Sequence, residues 1–414
     1  MKPTNALAVV ACIALLAVAT PAVAASGDLD ASFSGDGVFT WGLANPAEEG
    51  AAGVAVDPSG KLLVGNYNYP SNMAVSRVLP GGGLDGSFAG GTAQLADGKV
   101  RLTNAVGVQP DGKPLVAGNL GTAGQNVFLT RYRNNGNADG SFGSGGLAHV
   151  KMCGTSAYET NVVVRSDGSI AVVGDCGNGS DNDRLFVLVF KPGGGLDRTF
   201  SGDGTYMLQI GDDTWVRDAT LDGRDRLTIV GQSRTGTGHW RAMAVRLTPR
   251  GVPDASFSGD GKATFDFAAG DDDPRAVTGR NGGALIAEQA VAGDGSSDML
   301  LFALTTQGKL DTTFSGDGKA RIDIVTQDNP ADITTDASGR IYLAATYTWP
   351  PTEASVLRRK ANGAVDTSFA GGGITHAGVK SVAGSITMWK GKPTVVGFAD
   401  LTTDFDALVA RFLP

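Results

Sequence analysis

Residues 194–204 read GGLDRTFSGDG, and the phrase returns six more times along the 414-residue chain. The other copies are GDLDASFSGDG from Gly27, GGLDGSFAGG from Gly82, GNADGSFGSGG from Gly136, GVPDASFSGDG from Gly251, GKLDTTFSGDG from Gly308 and GAVDTSFAGGG from Gly363. The Asp and the Phe never vary, and Phe33, Phe88, Phe142, Phe200, Phe257, Phe314 and Phe369 fall every 54 to 58 residues. A fixed period of that size, with strand-like segments inside it, marks a propeller or a solenoid.

Each period holds four strand candidates. In the first copy they are residues 51–57, 61–66, 73–79 and a short segment around Gln94. The first two flank the turn Asp57-Pro58-Ser59-Gly60, which recurs as Gln109-Pro110-Asp111-Gly112 and Arg165-Ser166-Asp167-Gly168. Proline second and glycine fourth suit a type I turn, so each period predicts one four-stranded antiparallel blade. After the first phrase comes a strand at 38–41 with no earlier partner, and the chain finishes at 407–413 on the counterpart of a third strand. A ring accounts for both ends where a solenoid would leave them exposed and uncapped. The expectation is an all-β, seven-bladed propeller over residues 26–414, closed by the N-terminal strand joining the last blade.

A DPSGK- or QPDGK-type turn, a strand ending in Arg, and then G-x-L-D-x-x-F-S-G-D-G together resemble the delta-60 repeat β-propeller family of bacterial secreted proteins. The resemblance covers nearly all of the chain beyond its first 25 residues. It implies fold and export, and no assigned activity.

Those first 25 residues carry Lys2, an apolar run over 6–18, Pro21, and small residues Ala22, Ala24 and Ala25. They read as a secretory signal peptide, and the run is short for a membrane span. A lipoprotein cleavage box at Val9, Val10, Ala11 and Cys12 is disfavoured, because most of the apolar run would follow the cut. The destination is the periplasm, the cell surface or the medium. The net charge of −8, one unit more negative once Lys2 is removed, repels nucleic acid and anionic membranes. Cys153 and Cys176 are the cysteines that remain, and an oxidising compartment favours a disulfide between them.

The invariant aspartates (Asp30, Asp85, Asp139, Asp197, Asp254, Asp311 and Asp366) invite a calcium reading, strengthened where Asp36, Asp203, Asp260 and Asp317 follow. Calcium needs six or more converging oxygens, and three copies lack the second Asp. No metal or other cofactor is therefore expected. Each Asp is instead expected to cap its turn, with each Phe filling the space between blades. Arg77, Arg131, Arg246 and Arg358 stand eight residues before the Asp, and Arg411 would meet Asp30 through the ring. Val189 and Ala303 replace the arginine in two copies.

Catalytic signatures are scarce. His149, His239 and His376 lie in different repeats, and no nucleophile elbow, zinc helix or phosphate loop is present. The informative residues are those that differ between copies, on the crossovers and the loops between second and third strands, where binding usually resides. They are aromatic and acidic: Glu49, Tyr158, Glu159, Asp213, Trp215, Trp240, Asp273 and Trp349 are the ligand-binding candidates. The leading expectation is an exported, monomeric, non-enzymatic binding propeller engaging a carbohydrate, an envelope component or a protein. The alternatives are a polysaccharide hydrolase or lyase with carboxylates around the central opening, and a purely structural surface module.

Overall fold

The computed structural model describes residues 24–42, 49–68, 72–94, 101–120, 126–152, 156–177, 182–325, 327–347, 353–400 and 405–414. Most of the expected leader therefore lies outside the described residues. Five four-stranded antiparallel sheets follow one another along the chain, and a sixth sheet has seven strands. In the first sheet, Glu49–Val56, Leu62–Asn68, Asn72–Val78 and Thr92–Gln94 pair in chain order, close to the expected strands. The other four repeat this meander, beginning at Arg101–Val108, Ser156–Val164, Asp213–Leu221 and Asp272–Arg280. Apart from one three-residue 3₁₀ turn, Ala89–Gly91, the regular structure among the described residues is all strand.

The seven-stranded sheet departs from the expectation of separate four-stranded units. Ile374–Trp389 is a single strand whose first half pairs with Glu353–Arg359 and whose second half pairs with Lys392–Asp400. It serves as the fourth strand of one repeat and the first of the next, with no loop between. At the far edge of this sheet, Val38–Trp41 pairs antiparallel with Phe405–Arg411, in the register Val38↔Ala410 to Trp41↔Ala407.

The invariant phrase explains how neighbouring repeats are held. Each Asp accepts the backbone N–H of the residue two positions on, with Ser32, Ser87 and Ser256 as examples, which is the expected turn cap. Its other oxygen meets the arginine of the third strand: Arg77–Asp85, Arg131–Asp139, Arg246–Asp254, Arg358–Asp366 and Arg411–Asp30 lie at 2.7 to 2.9 Å. Each of these guanidiniums sits over the phrase Phe, 4.5 to 4.8 Å from the ring centroid. The seven phrase phenylalanines are buried, and Gly251, Gly308 and Gly363 of the following phrase sit so close that a Cβ would come within 3.0 Å of the ring before it. Only a residue with no Cβ fits there.

Where the third-strand arginine is missing, an arginine from elsewhere takes over part of its role. Arg280, at the end of a first strand, lies over Phe314 at 5.3 Å and reaches Asp311 at 3.7 Å. The pairing that Ala303 seemed to make dispensable is thus supplied from a different strand. In the Val189 repeat, Arg165, at the equivalent turn, supplies the inter-repeat tie, donating to the Pro249 carbonyl at 2.7 Å. Arg131 and Arg411 make the matching bonds, to the carbonyls of Pro192 and Pro80.

A second tie repeats seven times. The residue after each Phe donates its N–H to a carbonyl in another phrase or in the turn before it: Ser34 to Gly81, Ala89 to Asn135, Gly143 to Gly193, Ser201 to Arg250, Ser258 to Gln307, Ser315 to Asn362, and Ala370 to Ser26. These donors all have positive φ, between 45 and 54°. Between the sheets lie apolar clusters, each drawing on two neighbours. One joins Trp41, Val409 and Trp389 at the chain's ends to Leu62 and Val64 of the first sheet.

Breaking a clasp whose carboxylate has no second cation in salt-bridge range among the described residues, as at Asp311 and Asp366, costs about 3 kcal/mol. Arg280→Ala and Arg358→Ala should therefore lower unfolding free energy in urea by similar amounts. A loss below about 0.5 kcal/mol for Arg280→Ala would remove it from the set.

Candidate functional site

All seven first strands slip register by one residue at the same level. The slips fall at Ala51/Gly53, Thr103/Ala105, Glu159/Asn161, Val216/Asp218, Pro274/Ala276, Pro330/Asp332 and Ala383/Ser385. A bulge leaves one residue unpaired and re-aims the side chains beside it. Here the bulged strands line one cavity of about 570 Å³. One wall is small and apolar, with Gly53, Val54, Ala105 and Val106; the other carries Asn161, Arg217, Asp218, Arg275, Asn329 and Asp332.

The charged residues of that wall are tightly arranged. Asp218 accepts the N–H groups of Ala219 and of Val277 in the next sheet, both at 2.7 Å, and a bond from the Asn161 amide in the sheet before. Asp332 accepts the N–H of Ile333 at 2.7 Å and of Ile386 at 2.9 Å, together with the Ser385 hydroxyl. Both aspartates tie one first strand to the next. Burial, and then the neighbouring Asp332 carboxyl, push Asp218 up to about 8, against the pull of its N–H donors; burial likewise raises Asp332. Arg217 and Arg275 converge on one acid: Arg217 grips both oxygens of Asp273 at 2.8 and 3.2 Å, and Arg275 meets it at 2.6 Å.

Above the cavity the fourth sheet carries the aromatic candidates. Trp215, half-buried, and Trp240, 9% exposed, stack on each other with centroids 4.5 Å apart. Arg217 covers Trp215 at 5.7 Å and Arg234 covers Trp240 at 4.6 Å. The Trp215 indole N–H donates to Asp183, whose own N–H donates to Asp213. Asp213 also pairs with Arg234 at 3.2 Å. Asp213, Trp215, Trp240 and Asp273 thus form one network, joined through Arg217 and Arg234. Glu49 opens its strand, and Tyr158 and Glu159 lie on the first strand of the third sheet; their side chains lie outside the described residues. Trp349 and Cys153 also lie outside them, while Cys176 is fully buried opposite Ala157.

Several acids here escaped sequence reasoning. Asp175 accepts the N–H of Val216, the residue before a bulge, as Thr346 does for Ala383. Burial drives Asp175 up to about 7. Glu288 and Asp272 are both fully buried, and Asp272 accepts the N–H groups of Phe267 and Ala268. Burial and the Asp272 charge hold Glu288 well above the usual carboxylate range, and burial raises Asp272 as well. The signal in the sequence was an acid in the middle of a strand flanked by apolar residues, as in Ala331-Asp332-Ile333. Its meaning depended on the bulge register.

These shifts fix a pH profile. Raised acids keep protons in the fold that the unfolded chain loses above about pH 4, so stability falls from there toward pH 8. Asp30, lowered to about 2 against its burial by Lys392, Ser32 and Arg411, and Asp85 and Asp139, lowered by their own partners, stabilise above about pH 4 and lose that contribution below it. The thermal midpoint should peak near pH 4 to 5. Asp175→Asn, which keeps the acceptor for Val216, should flatten the fall between about pH 4 and 7; an unchanged profile would exclude Asp175 from it.

Residues 109–142 match a family model described as "Domain of unknown function (DUF5122) beta-propeller", and no curated protein matches the sequence. Among solved structures the chain is similar to dihydro-heme d1 dehydrogenase NirN in complex with DHE (TM-score 0.48, 11% identity, 91% of this chain and 75% of that one). It is also similar to a Trypanosoma rangeli sialidase in complex with sialic acid (0.43, 10%, 91% and 57%) and to a protein of unknown function from Dyadobacter fermentans (0.38, 10%, 91% and 99%). With the sheet arrangement and the family match together, the fold is a β-propeller.

Proposed function

We propose that this chain is an exported, non-enzymatic binding propeller of the delta-60 repeat type, with seven blades closed into a ring, whose variable face engages a carbohydrate of the cell envelope or its surroundings. Seven repeated phrase-to-turn bonds and seven bulged first strands support the blade count, if the long strand Ile374–Trp389 is shared by two blades. Pairing of Val38–Trp41 with Phe405–Arg411 supports closure. Within this reading Cys153 and Cys176 brace the variable face as a disulfide.

One observation carries the binding reading. The channel aspartates Asp218 and Asp332 are committed as acceptors to backbone N–H groups of the next strand, a role that fastens blades and leaves neither poised as a nucleophile or base. The half-buried Trp215 beside Asp183 and Asp213 offers an aromatic edge and hydroxyl acceptors, the pairing that suits sugars. Polysaccharide hydrolysis is the second reading, favoured by the way Asp218 and Asp332 share one cavity.

Saturable binding of the mature protein on a glycan and cell-envelope array, weakened tenfold or more by Trp215→Ala and Trp240→Ala, is the expected result. Binding unaffected by both substitutions would contradict it. Release of cleaved product, abolished by Asp332→Asn, would establish the second reading instead.

A further inference from the structure

The axial cavity holds two acids, Asp218 and Asp332, with no cationic partner among the described residues. Its two cations, Arg217 and Arg275, both turn onto Asp273, and Asp175 faces Arg217 from the neighbouring sheet. Asp218 and Asp332 have only neutral donors among the described residues: backbone N–H groups, the Asn161 amide and the Ser385 hydroxyl. Both keep part of their surface open to the cavity. On the same wall the carbonyl oxygen of Asn329 is buried with no donor.

From this geometry we infer that the axial cavity is a binding site for a small ligand carrying a protonated amine, which sits between Asp218 and Asp332 and donates to them and to Asn329. An ammonium brings three donors and no acceptor, matching a wall whose polar groups are carboxylate oxygens and the undonated Asn329 amide oxygen. A bare calcium or magnesium ion fits less well. It needs six or more oxygens converging on one point, whereas these carboxylates already hold three donors each and line a space of about 570 Å³. A volume in that range suits an organic ligand. Without such a ligand Asp218, pushed up to about 8 by burial and the nearby Asp332 carboxyl, holds a proton near neutral pH, so binding an ammonium expels it.

The site is independent of sugar binding at Trp215, and small-molecule calorimetry separates the two. Glucosamine and 1,4-diaminobutane are titrated into the full mature protein beside their neutral counterparts glucose and 1,4-butanediol, with calcium chloride as the metal arm. Expected is at least tenfold tighter binding of one or both amines than of its counterpart, with heats in buffers of different ionisation enthalpy reporting proton release at pH 7. Asp332→Asn loses the preference. Equal or absent binding of amines and neutral compounds to the unmodified protein overturns the inference whatever the variant does, and so does calcium binding that outcompetes both amines.

Discussion

The fold rests on one repeated interaction, an arginine that pairs with the phrase aspartate while lying across the phrase phenylalanine. Each part depends on the others. The aspartate caps its own turn with one oxygen and receives the guanidinium with the other, as Asp254 does from Ser256 and Arg246. The ring fills the space under the next phrase, where only glycine fits. The arginine then reaches a carbonyl of the neighbouring repeat, as Arg77 does at Asn134. A cap, a core contact and an inter-repeat tie converge on three side chains, which is why the spacing of those residues persists where the rest of the sequence drifts.

A second ring of constraints lies at the inner end of the sheets. Every first strand is bulged at the same level, and each bulge disturbs the backbone pairing around it. Asp175 and Thr346 answer one such donor each, and Asp218 and Asp332 answer donors in the strand that follows. Asp218 and Asp332, recruited for that purpose, are held in a low-dielectric interior with neutral donors only among the described residues, which raises their affinity for protons. The same placement that fastens the strands gives the axial cavity its acceptor-rich wall.

Much of the architecture was legible because it is periodic. The Asp-Phe phrase, the turn at Asp57 to Gly60 and the partnerless strand at Val38 to Trp41 each carry local physics that reads directly from residue type. The continuous strand Ile374–Trp389 was not legible, because the crossover within it lacks the loop found elsewhere. Arg280 was missed as a clasp residue since it stands on a different strand from the arginines of the other clasps. Trp215 and Trp240 were legible as loop-face aromatics, but their stacking, with arginines on either side, depends on the register of two strands. Asp218 and Asp332 share a cavity only through the tertiary arrangement, and no spacing within the chain encodes that.

Asp30 and Arg411 lie 381 residues apart and meet at 2.7 Å, so their coupling reports directly on whether the two ends of the chain form one clasp. A double-mutant cycle with Asp30→Asn and Arg411→Met, read by urea denaturation and compared with the cycle for Asp85 and Arg77, measures it. The account predicts a coupling energy above about 1 kcal/mol, similar in the two cycles. A coupling near zero for Asp30 and Arg411, with normal coupling for Asp85 and Arg77, would contradict closure of the propeller through its N-terminal strand.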